Sequence, residues 1–187
     1  ALVARAQNIP FPEPPYGLWR KPIERAAISI HKREPVDLVI GTSNPSVDFT
    51  PGWALHRKHK VPYVMDYRDA WALSVESGNR VHSTTSREWR IERKLLRHAS
   101  EIWFVNDNIR DWYTEQLPSI ADRTRVIMNG YDGDVAEQIV RSGDDRHPGC
   151  EQLTFGYVGS IYGGTPLREL LEGWRLARQI DSTMRAS

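Results

Sequence analysis

The chain has 187 residues, 40% of them hydrophobic, with 25 basic against 24 acidic side chains for a formal charge of +1. That is enough apolar material for a core, and charges of both signs interspersed along the chain exclude the strong positive field of a dedicated nucleic-acid binder. The single cysteine, Cys150, excludes an internal disulfide framework and a thiolate zinc cluster, no apolar run approaches the roughly 18 to 20 residues that span a bilayer, and no secretory signal pattern opens the chain, so a cytoplasmic globular protein is expected.

The first twenty residues, with Pro10, Pro12, Pro14, Pro15 and Gly17, read as loop or extended chain. After Pro22, Ile23, Ala26, Ala27 and Ile30 fall at helical spacing up to Glu34-Pro35. Asp37 to Gly41 reads as a buried strand, Thr42-Ser43-Asn44-Pro45 as a polar turn and Trp53 to Lys58 as a helix. Val61 to Met65 is the next strand. Trp89, Ile91, Leu95, Leu96 and Ala99 then mark an amphipathic helix over 87–99, followed by a strand at Glu101 to Val105. Asn106-Asp107-Asn108 caps a helix from Ile109 to Leu117, and Thr124 to Met128 is a further strand. Strands alternating with helices imply right-handed crossovers and a mostly parallel α/β sheet with helices on both faces.

Residues 142–151 break this composition with Gly143, Asp144, Asp145, Pro148 and Gly149 and read as a linker. Beyond it, Leu153 to Gly159 reads as a strand, and Thr165-Pro166 as the start of a helix that buries Leu167, Leu170, Leu171, Trp174 and Ala177. One strand and one helix cannot enclose a core, so the chain is expected to be a fragment of a larger two-domain protein.

The second strand runs directly into Asp66, Arg68, Asp69 and Trp71. Loops past the carboxyl ends of the strands line the ligand crevice of an open α/β sheet, so this charge falls where chemistry is usually placed. One carboxylate is suited to general-base work and Arg68 to a bidentate anion contact. An internal Arg–Asp pair that ties down the loop fits the same residues equally well. Gly159-Ser160-Ile161-Tyr162-Gly163-Gly164 has the glycines and the helix N-terminus of an anion site but matches neither G-x-G-x-x-G nor the Walker pattern, and such a stretch is most often only a turn. Asn129-Gly130 and Ser43-Asn44-Pro45 also read as turns. His56 and His59 have no third ligand evident nearby, so a metal is not expected. Without a G-x-S-x-G elbow, and with Cys150 in the linker, a nucleophilic hydrolase has no support.

Four ordered pieces, Pro35 to Ser43, Val61 to Trp71, Val126 to Asp132 and Phe155 to Ser160 followed by Pro166-Leu167, resemble the family-four retaining glycosyltransferases of the GT-B fold. The resemblance covers roughly residues 35–180. It implies a Rossmann-like acceptor-side domain over 1–141 lacking its first elements, a linker over 142–151, and the first strand and helix of a nucleotide-sugar donor domain over 152–187. Asp69 and Arg68 then lie near the transferred sugar or acceptor. Ser43, Asp66, Trp71, Asn129 and Gly130 border the cleft, and Gly159, Ser160, Gly163 and Gly164 approach the donor diphosphate. The family's first glycine-rich loop, its basic diphosphate ligands and its paired glutamates have no match here, so the chain alone is expected to be inactive.

The implied activity is transfer of a sugar from a nucleotide-diphosphate sugar to a hydroxyl with retention, without metal or other cofactor. The acceptor is a glycan, a lipid-linked molecule or a small molecule, with no nucleic acid as partner. Peripheral association with the inner face of the membrane stays open. A non-catalytic α/β binding or scaffold module, and a nucleotide-sugar epimerase of the same fold, are the alternatives.

Overall fold

The computed structural model describes residues 10–74, 78–134, 137, 156–159, 161 and 165–180. Their contacts divide the chain into two compact units, Ala1–Asn129 and Gly130–Ser187.

In the first unit, the proline-rich segment ends in a 3-10 turn at Tyr16–Trp19 that leads directly into α1, Arg20–Arg33. The helix begins before Pro22 because the amides of its first turn have no carbonyl to bond, so a missing N–H costs nothing there. β1 (Val39–Ser43) is followed by a 3-10 turn at Ser46–Phe49, then by α2 (Thr50–His59) and β2 (Tyr63–Tyr67). α3 (Arg87–His98) is capped by Ser86, whose hydroxyl accepts the Trp89 amide at 3.1 Å. β3 (Glu101–Phe104) precedes α4 (Asp107–Gln116), where the expected cap forms as Asn106 accepts the Ile109 amide at 2.9 Å. β4 covers Thr124–Val126.

The four strands form one parallel sheet in the order β1-β2-β3-β4, the Rossmann-like α/β arrangement that the alternation implies. Three strand ends differ most from expectation: β1 runs on through Thr42 and Ser43, which the sequence reads as a turn. β2 continues to Tyr67, so Asp66 is a strand residue paired with Thr42 and Trp103 and not a loop residue. β4 stops at Val126, although the Ile127 amide still donates to the Phe104 carbonyl at 2.9 Å.

Alternate strand residues separate two faces. Met65, Tyr67, Ile102 and Phe104 point into one core with Trp53 of α2, Trp89, Leu95 and Leu96 of α3 and Ile109 and Tyr113 of α4. The three crossover helices therefore share one face and do not cover both as expected, because right-handed connections place them on the same side when the strands follow in sequence order. Ile40, on the opposite row, is 50% exposed. The proline-rich segment also reaches the core. Phe11 is fully buried and stacks on Trp71 with centroids 4.9 Å apart, while the Glu13 carboxylate accepts the amides of Ser46 and Val47, each at 2.7 Å.

In the second unit, α5 spans Leu167–Ile180 with no buried residue, so the expected burial of Leu170 and Leu171 is absent among the described residues. Of the expected strand at 153–159, residues 156–159 are described and form none. The expected linker over 142–151 lies outside the described residues.

Candidate functional site

Asp66, Tyr67 and Arg68 bring charge to the carboxyl end of β2, and the side chains then diverge. Arg68 folds back on Asp66: its Nε donates to both carboxylate oxygens at 2.9 Å, and Nη2 donates to Oδ1. Nη1 of the same guanidinium donates to the Ile127 carbonyl at 2.9 Å and to Asn129 Oδ1 at 3.2 Å. The bonds it donates to the Asp66 carboxylate hold the guanidinium pKa above its ordinary value. Arg68 thus links the end of β2 to the segment after β4, and most of its donors are already engaged.

Asp69 has the opposite character. It is exposed, and no hydrogen bond or ion pair engages its carboxylate among the described residues. Its backbone is nevertheless fixed, because Ser43 Oγ donates to the Asp69 carbonyl at 3.0 Å. Ser43 is buried and lies behind Asp69 as a support. Trp71 is half-buried between Phe11 and the edge of His82, whose ring centroid lies 6.0 Å away. Burial lowers the pKa of that histidine.

A buried polar network that sequence reasoning missed holds the same loop. Glu92 on α3 is fully buried, and its Oε1 accepts the Tyr67 hydroxyl at 3.0 Å and the Tyr113 hydroxyl at 2.5 Å. Tyr113 Oη in turn accepts the amides of Trp71 and Ala72 at 3.2 and 3.1 Å. Burial pushes the Glu92 pKa up to about 7 from 4.5, against the smaller opposing pull of its two tyrosine bonds and of Arg80. Both tyrosines are raised well above their ordinary value, again chiefly by burial. The signal available in the sequence was spacing: Glu92 lies three residues from Trp89 and from Leu95, on the apolar stripe of the helix.

Arg80 closes the far side of this network. Its guanidinium sits over Trp89 at 4.4 Å and Trp112 at 4.8 Å and donates to Gln116 at 2.6 Å. Arg80 also bridges to Leu73 through the backbone, which fixes the chain segment leaving Trp71. Beside that segment, a cavity of 340 Å³ has Leu73, Ser74, Gly78, Asn106, Asn108, Ile109 and Trp112 as its lining among the described residues.

The remaining expected residues are dispersed or undescribed. Asn129 is exposed and bound to Arg68, and among the described residues nothing lies within 4 Å of where a Gly130 side chain would begin. Gly159 has φ +149°, which L-residues rarely adopt. Ser160, Gly163 and Gly164 lie outside the described residues. His56 and His59 face different neighbours: the His59 ring lies 4.7 Å from His31, and His56 contacts Trp53, Tyr63 and His98. Among the described residues no cluster of three metal-ligating side chains occurs, and no helix is long and apolar enough to cross a membrane.

A parallel α/β sheet with an acidic loop fixed at its carboxyl edge defines the class of a Rossmann-like α/β domain. Residues 2–130 match the family described as Glycosyl transferase 4-like domain, and the chain belongs to that family. A search of the curated proteins finds none that matches the chain.

Proposed function

We propose that the protein takes part in transferring a sugar from a nucleotide-diphosphate sugar to a hydroxyl acceptor, with retention and without a required metal. The observation that carries this reading is the exposed, unengaged carboxylate of Asp69 on a backbone held by Ser43, in a chain of the glycosyltransferase 4-like family. In this reading Asp69 contacts the acceptor hydroxyl or the transferred sugar. Arg68 acts through Asp66 and Asn129 by fixing the loop. Catalysis then rests on positioning and on stabilising the leaving diphosphate. The glycine-rich segment from Gly159 to Gly164 is assigned to the donor diphosphate, where close backbone approach favours glycine.

The test uses the full-length protein and measures release of nucleoside diphosphate from a panel of nucleotide sugars. Asp69→Asn should abolish acceptor-dependent release while leaving thermal unfolding unchanged. Normal turnover in that variant would reduce Asp69 to a surface residue. A bulky substitution at Gly159 should weaken uridine or guanosine diphosphate binding in titration calorimetry, and unaltered affinity for both would remove that segment from the donor site.

A further inference from the structure

One surface of the first unit carries apolar bulk and charge that the proposed transfer does not use. The turn at Tyr16–Trp19 leaves Leu18 63% and Trp19 50% exposed, with Tyr16 set edge-on to Trp19 at 5.2 Å. α1 continues from this turn, so Leu18, Lys21 and Arg25 follow at spacings of three and four residues along one side. A groove of 260 Å³ between α1 and α2 brings Lys21 and Arg25 beside Arg57 and Lys58. Its one acidic lining residue, Glu24, is bound to Arg20 at 2.8 Å. Lys21, Arg25, Arg57 and Lys58 are all exposed and form no ion pair among the described residues. In a chain whose formal charge is only +1, four such cations on adjacent helices are a local concentration.

We propose that this surface docks the protein on an anionic lipid bilayer. Leu18 and Trp19 enter the headgroup boundary, and the four cations take lipid phosphates. A dissolved phosphate would be served by the groove alone and gives no reason for Leu18 to stand in water. A tryptophan beside an exposed aliphatic side chain and a lysine–arginine cluster is the combination that a membrane interface rewards.

Vesicle sedimentation tests this, using phosphatidylcholine alone and phosphatidylcholine with about a third phosphatidylglycerol. The protein should sediment with the anionic vesicles only and be released by about 0.5 M salt. Lys21→Glu/Arg57→Glu and, separately, Leu18→Ser/Trp19→Ser should each weaken binding about tenfold or more, with unchanged circular dichroism melts. No sedimentation with anionic vesicles, equal binding to neutral ones, or wild-type binding by both double variants would overturn the proposal. So would tighter binding to a short single-stranded RNA that the charge-reversed pair abolishes. Docking does not depend on the proposed transfer. Vesicle binding without transfer would remove that function alone, and transfer by a protein that ignores anionic vesicles would remove docking alone.

Discussion

Tyr113 donates its hydroxyl to the buried Glu92 at 2.5 Å and with the same oxygen accepts the backbone amides of Trp71 and Ala72. A helix residue and a buried carboxylate thereby fix the loop that carries Asp69. Tyr113→Phe keeps the ring and removes the oxygen, so both amides and one Glu92 bond lose their partner. Leaving buried polar groups unsatisfied costs about 1–3 kcal/mol, which urea unfolding should register. Amide hydrogen exchange at Trp71 and Ala72 should speed up before that of the sheet.

Glu92 should make stability fall with rising pH. Its folded pKa of about 7 lies above the ordinary 4.5, so between those values the folded chain holds a proton that the unfolded chain has lost. The contribution is fully present below about pH 4.5 and lost as pH rises through about 7. Glu92→Gln keeps an oxygen for both tyrosines and cannot ionise. Chemical unfolding at several pH values across this window should decline in the wild type and run flatter in the variant.

Arg68 and Asp69 are adjacent in sequence and should respond differently. Asp66 is 10% exposed at its side chain, and Arg68→Met leaves that carboxylate without its guanidinium, at a cost of about 1–3 kcal/mol. Asp69→Asn, at an exposed and unengaged carboxylate, should change stability by no more than about 0.5 kcal/mol. Parallel denaturation curves of the two variants check the contrast, and equal losses would contradict it.

Gly52→Ala sets helix propensity against packing. Alanine gains roughly 1 kcal/mol in a helix interior, but the new Cβ would stand 2.8 Å from the Tyr63 side chain. Tyr63 cannot yield easily, because it is buried and its hydroxyl donates to the Leu95 carbonyl at 2.5 Å. Overpacking costs about 1–3 kcal/mol, so a lowered melting temperature is expected.

Legibility differed by residue. The helix of Trp89, Leu95 and Leu96, its neighbouring strand and the Asn106 cap could be read because each depends on neighbours a few positions away. Phe11 could not, since proline-rich sequence reports loop geometry and not where the loop packs. Glu92 was hidden by its chemistry: a carboxylate among arginines and lysines reads as helix surface until two tyrosines from β2 and α4 converge on it. The composition was equally silent about the basic groove, because charges of both signs cancel along the chain but sort by side once α1 and α2 lie together.

The sequence by itself determined the α/β alternation, the parallel sheet, the family resemblance and the placement of Asp66, Arg68 and Asp69 at a strand end, all of which follow from local periodicity and order. Only the tertiary structure decided what those three residues do. Asp66 and Arg68 pair with each other and with Asn129, leaving Asp69 as the exposed carboxylate. The reason is physical: a guanidinium binds whichever oxygens the fold brings within about 3 Å, and the chain's order does not give those distances.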